Sequence, residues 1–286
     1  MEGNTVFFIF HYKSTYYRGF ACIERFKTGG DYRSRSSCCH VCNKWYDDMD
    51  NYFDKEIVAQ IAKTKASKWP DIIANGHEPH FTIVSQKVLE VWESEGIGTF
   101  PCFPVHIQPP FPKTLITVPP AYYRLDYKKM IGAELDFEAS GYVNAKICKV
   151  CGKFSFDISK TGNLERSKII PFVLKSGTWS GKHVFCPTPQ EQIICCTDKV
   201  VDCAHKYQLT DFEFCPFEIG HRIGFKGVDY SKKNWRLKLP EQIRKFEEDF
   251  QKQRCPCLEP LSDCPCPEDL KAPENPEAEP ANGGLD

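Results

Sequence analysis

The chain has 286 residues, 41% hydrophobic and 13% aromatic, with a formal net charge of -1, which fits one large globular body or two modest ones. The apolar run Val6 to Phe10 is too short and lacks the basic flank of a secretory signal, no other run approaches the ~20 apolar residues that span a bilayer, and sixteen cysteines without an export signal point to thiols or metal ligands in the cytoplasm. From Cys255 to Asp286 eight acids face one lysine, a local charge of -7, which leaves 36 basic and 30 acidic side chains, +6, on residues 1 to 254.

In chain order, "VFFIFHY" and "GFACIERF" read as an opening pair of strands. A first CxxC pair follows in "CCHVCNKW", Cys38 to Trp45, and then "DKEIVAQIAKTKA" places Ile57, Val58 and Ile61 on one face of a helix. "HFTIV" reads as a strand, and Ser85 stands where a hydroxyl caps the first turn of a helix carrying Val88, Val91 and Trp92 at helical spacing. "TFPCFPVHI" returns as a strand that Pro104 restricts to an edge or an end. "KTLITVPPAYYRLDY" gives a further strand interrupted at Pro119 and Pro120.

The second CxxC pair lies in "ICKVCGKFSF", Ile147 to Phe156. After it, "QIICC" reads as a strand, Thr197 as the cap of a helix with Val200, Cys203 and Ala204 on one face, and "DFEFCPFEI" as a strand ending near Pro216. "PEQIRKFEEDFQKQ" puts Ile243, Phe246 and Phe250 on one helical face with Pro240 in the first turn, so a closing helix is expected over about 240–252. The tail 255–286, with seven prolines and few apolar residues, cannot offset its ordering entropy and is expected to be disordered.

The strongest organising signal is an internal repeat. Ser85 to Ile107 aligns without gaps on Thr197 to Ile219, with five of 23 positions identical: Lys87 and Lys199, Val88 and Val200, Phe100 and Phe212, Pro104 and Pro216, Ile107 and Ile219. Further landmarks recur in the same order, 109 positions separating Cys42 from Cys151 and 110 separating Trp69 from Trp179. The expected fold is therefore α+β, two imperfect repeats of about 110 residues in a body spanning 1–254. The first repeat runs over about 5–110 and the second over about 113–225, each a knuckle, a strand, a helix and a strand. The repeat is imperfect because the helix carrying Ile57 has no counterpart in the second half.

Each CxxC pair is followed by a residue that tolerates a left-handed backbone, Asn43 or Gly152, as a tight metal knuckle requires. One knuckle per repeat supplies Cys39, Cys42, Cys148 and Cys151, the ligand set of one closed, structural zinc site joining the repeats. A redox dithiol would open a helix, whereas "NKWYDDMDNY" and "GKFSFDISKTG" read as turn and strand. The bland alternative is a pair of turn cysteines. Cys38 and His40 crowd the first knuckle as substitute ligands, and Cys22, Cys102 and Cys215, alone among apolar residues, read as small buried side chains. In the tail, Cys255, Cys257, Cys264 and Cys266 form a second set that fits a soft metal, though a lineage-specific extension explains them as well.

No nucleotide-binding loop, HExxH, GxSxG or kinase signature occurs, so no enzyme is expected. The nearest approach to an acid/base cluster is His77, Glu78 and His80, read as a polar loop entering a strand.

Two knuckles about 110 residues apart, a strand and an [ST]xKV helix after each, and "TWSGKHVF" before the second helix together resemble the double-CxxCG proteins expanded in myxobacteria. Those are immunity proteins of swarming-inhibition toxins delivered by outer-membrane exchange. The later half also resembles bacterial polymorphic-toxin immunity proteins with a WxGxD segment followed by a hydrophobic residue and Phe. Trp179, Gly181, Val184 and Phe185 match it, and His183 stands where an acid is usual. The resemblance covers about residues 5 to 225, and "CHVCN" departs from it with Asn43 in place of glycine. It implies a non-enzymatic cytoplasmic protein that binds and neutralises a cognate protein toxin, with neither membrane nor nucleic acid as partner. The alternative is a zinc-ribbon nucleic-acid-binding or regulatory protein, with which a +6 body is compatible. A thiol oxidoreductase is the third reading.

Overall fold

The computed structural model describes residues 5–12, 22–28, 36–43, 45–47, 57–61, 67–75, 82–115, 117–142, 144–152, 154–155, 171–189, 193–219 and 228–252. The acidic tail with Cys255, Cys257, Cys264 and Cys266, and the group His77, Glu78 and His80, lie outside the described residues. Strands and helices mix along the chain, as an α+β fold requires. Among the described residues no helix is long and apolar enough to cross a membrane.

The first half contributes a closed barrel. Its strands are β2 (Cys22–Thr28), β5 (Ile57–Ile61), β6 (Ile72–Asn75), β7 (Ile83–Ser85), β8 (Cys102–Ile107) and β9 (Tyr122–Leu125), in the order β2-β5-β8-β9-β7-β6. Between β2 and β5 the chain forms a small hairpin of β3 (Ser36–Cys38) and β4 (Trp45–Asp47), and α1 (Gln86–Ser94) follows β7. Successive strand residues face opposite sides. Ile73 and Ile83 accordingly join Ile57, Ala59, Ile61, Val105 and Tyr122 inside the barrel, while their neighbours Ile72 and Val84 face a larger core shared with the second half.

That larger core lies under a five-stranded sheet of β10 (Ile131–Glu134), β13 (Val184–Thr188), β14 (Cys195–Thr197), β1 (Phe7–Tyr12) and β15 (Phe212–Pro216), in the order β10-β13-β14-β1-β15. A second hairpin, β11 (Lys146–Ile147) with β12 (Phe154–Ser155), follows β10, and α2 (Asp198–Lys206) follows β14. Residues 171–175 tie the two ends of this sheet together: the Phe172 amide donates to the Phe217 carbonyl at 2.7 Å, and Leu174 bridges to Leu135. In the barrel, β5 makes the same link between β2 and β8.

The central antiparallel pairs of the two halves share one register. Ile72 faces Val84 and Ile73 faces Ile83, as Val184 faces Cys196 and Phe185 faces Cys195. Antiparallel β6–β7 is flanked by parallel β2, as antiparallel β13–β14 is flanked by parallel β10. Both helices have nine residues, buried through Val88, Val91 and Trp92 or through Val200, Val201, Cys203 and Ala204.

Several sequence expectations need correction. Residues 57–61 form strand β5, not a helix, because Ile57, Ala59 and Ile61 alternate with half-buried residues and fill the barrel. Both opening segments are strands as expected, set in different sheets: β1 lies between β14 and β15, β2 between β5 and β6. Pro104 lies in β8, which has neighbours on both sides, and is accommodated because pairing with β5 begins only at Val105. The closing helix α3 (Trp235–Lys252) starts before Pro240, which falls inside it. Trp235, buried against Phe8 at 5.8 Å, and Arg236, bound to Asp198 and Asp202, draw the earlier turn onto the body. Ser85 and Thr197 stand at the helix starts without capping bonds, their hydroxyls engaged elsewhere.

Candidate metal centre

Each CxxC pair occupies the turn of a short hairpin. Cys38 pairs with Trp45 in one and Ile147 with Phe154 in the other, and the turns close alike: the Asn43 amide donates to the Cys39 carbonyl, the Gly152 amide to the Cys148 carbonyl, both at 2.8 Å. Asn43 and Gly152 have φ of 53° and 69°. A side chain at Gly152 would meet nothing within 4 Å, so the requirement is on the backbone alone, and asparagine meets it at small cost. The departure from glycine in the first knuckle therefore leaves its geometry intact.

The two turns meet sulfur to sulfur. Cys39 Sγ lies 3.7 Å from Cys148 Sγ and Cys42 Sγ 3.5 Å from Cys151 Sγ, and all four lie within 4.8 Å of one another. A tetrahedron with metal–sulfur bonds of about 2.3 Å has sulfur–sulfur edges of about 3.8 Å, so the four thiols can hold a metal ion. Amides aimed at the sulfurs favour the thiolate. Those of Cys151 and then Val150 pull Cys148 down to about 6, against the cost of burial, and those of Cys42 and then Val41 lower Cys39.

Four sulfurs make a closed set, with no position left for water or substrate. His40 is exposed at the turn and stays outside the group, and the Cys38 side chain lies outside the described residues. Neither pair opens a helix. Cys186, Cys195, Cys196, Cys203 and Cys215 are core residues, and burial pushes the Cys203 thiol up to about 11 and Cys215 up to about 12. Cys102 is half-buried in β8, and the Cys22 side chain is not described.

A second polar junction joins the halves, one that sequence reasoning missed. Asp71, 7% exposed, accepts from the Ser85 hydroxyl at 3.0 Å and from the Thr210 amide at 2.9 Å, with Lys87 at 3.6 Å. Its counterpart is His183, whose Nδ1 lies 2.9 Å from the Thr197 hydroxyl. Asp71 lies in "WPD", Trp69 to Asp71, two positions nearer its tryptophan than His183 is to Trp179. That spacing difference concealed it. Nearby, Glu95 binds Lys206 at 2.7 Å and the Tyr207 hydroxyl at 2.5 Å.

No protein-family model matches the chain, and no curated protein matches it.

Proposed function

We propose that the four cysteines hold one structural zinc ion, that the chain is a duplicated unit clasped by it, and that the protein is a non-catalytic, cytoplasmic immunity protein that binds and neutralises a cognate toxin. The observation that carries the clasp is the meeting of two knuckle turns that close alike, one from each half, with four sulfurs within 4.8 Å of one another. The matched registers support the duplication. The immunity role rests on the double-CxxC resemblance, and the knuckle tips suit contact with protein: Val41 and Val150 are each 58% exposed beside the metal site, an apolar surface that offers phosphates little.

Native mass spectrometry should find one zinc per chain; zero or two overturns the shared site. Chelation should lower the thermal midpoint by on the order of 10 °C, since binding energy at a structural site is folding energy. For the role itself, a toxin encoded beside this gene should arrest growth when expressed alone and be neutralised by co-expression. Steeply salt-dependent retention on DNA or RNA, without rescue, would replace this reading with nucleic-acid binding.

A further inference from the structure

We infer that the two halves are interlocked by a reciprocal exchange of their leading strands, each half presenting a groove whose occupant is the first strand of the other. The inference rests on the two-unit reading and is independent of which metal the cysteines hold. The strand that leads into the first half is β1; the strand that leads into the second is β9, separated from β10 only by residues 126–130 but from β8 by residues 108–121. Yet β9 lies between β7 and β8 of the first half, and β1 between β14 and β15 of the second.

The two slots have one register. Tyr123 faces Val84 on one side and Pro104 on the other; Phe8 faces Cys196 and Pro216. Arg124 faces Ile83 and Phe103; Ile9 faces Cys195 and Cys215. Pro104 and Pro216 are matched positions of the repeat, so β9 and β1 fill equivalent places, each in the opposite half. Neither is a marginal addition. Phe8 and Ile9 are fully buried, and the Tyr122 hydroxyl donates to the Pro70 carbonyl at 2.7 Å.

A two-fold relation between like units brings residues near its axis against their own counterparts. Cys39 meets Cys148, Cys42 meets Cys151 and Glu95 meets Tyr207, each its counterpart in the repeat. The chain thus has the build of a strand-exchanged homodimer made from one polypeptide. The partner each groove fits is the leading strand of a like unit, held by main-chain pairing on both sides. A cut between β8 and β9 should therefore leave the halves joined, with or without the metal clasp.

The test inserts a protease site between Lys113 and Thr114, both exposed, in the full chain. After cleavage the fragments should co-elute at full-chain size in native buffer, also when Cys39, Cys42, Cys148 and Cys151 are all serine. Phe8→Ala should raise the dissociation constant of the nicked pair at least ~100-fold. Should that variant fail to fold, Ile9→Val should still raise it several-fold. Separation of the serine variant's fragments without denaturant, or a dissociation constant that Ile9→Val leaves unchanged, overturns the exchange. Fragments that stay together while the intact chain binds no zinc would sink only the metal reading.

Discussion

At the centre of the β7–β9–β8 ladder stands Arg124, 1% exposed, with its guanidinium 4.7 Å above the Phe103 ring. At the matching point of β14–β1–β15 stands Ile9, between Cys195 and Cys215. Around Arg124 the closure is polar, with Tyr122 bound to the Pro70 carbonyl and Asp71 spanning Ser85 and Thr210. Around Ile9 it is aromatic: Phe7 meets Trp179 edge-on at 5.1 Å, and Phe8 meets Phe214 at 6.5 Å. Main-chain register is common to the two slots and side-chain chemistry is not. Register depends on alternation and turn geometry, so each slot can diverge in its interior while the ladder persists.

The most disruptive way to break this comparison is Ile9→Arg, which installs in one slot the side chain the other carries. Cys215 stands where Phe103 does, so the charge would lack its ring, and a buried, uncompensated charge costs at least about 3–5 kcal/mol. Urea denaturation should show that loss; a change below about 1 kcal/mol would mean the slots are chemically interchangeable. Next comes Asp71→Asn, which turns an acceptor towards the Thr210 amide into a potential donor and should cost about 1–3 kcal/mol. His183→Asn, which loses one partly exposed bond, should cost under about 1 kcal/mol. Equal losses would show that the junction does not distinguish the halves.

The smallest effect is the pH response of that junction. Burial, then the nearby Lys199, holds His183 below its ordinary value of 6.5, against the pull of Asp198. The neutral ring is therefore favoured in the folded state, and its contribution is complete above about pH 6.5 and lost as pH falls below it. His183→Gln should flatten the fall in stability as pH drops below 6.5, read by urea denaturation across that range.

Local pattern exposed the strand–helix–strand units, because Val88, Val91 and Trp92 or Val200, Cys203 and Ala204 declare a buried helical face, and the knuckles declared themselves through spacing. What escaped was set by partners distant in sequence. Ile57, Val58 and Ile61 fit a helical face as well as a strand; the small Ala59 hid the alternation that places it inside the barrel at 0% exposure. Pro240 marked a first turn by local rules, but Trp235 found its pocket against Phe8 and moved the start forward. The hydroxyls of Ser85 and Thr197 were spent on Asp71 and His183 rather than on helix amides. The exchange of β1 and β9 leaves no local mark, since a strand's composition does not name its neighbour.

The position of β1 between β14 and β15 has a consequence for synthesis. "FFIFHY" is made well before its two flanking strands, which are complete only once Pro216 has been added. At roughly 5–20 residues per second this apolar strand waits on the order of ten to forty seconds for its place. β1 is thus housed long after it is made, and a nascent chain of this protein is a natural client for holding chaperones.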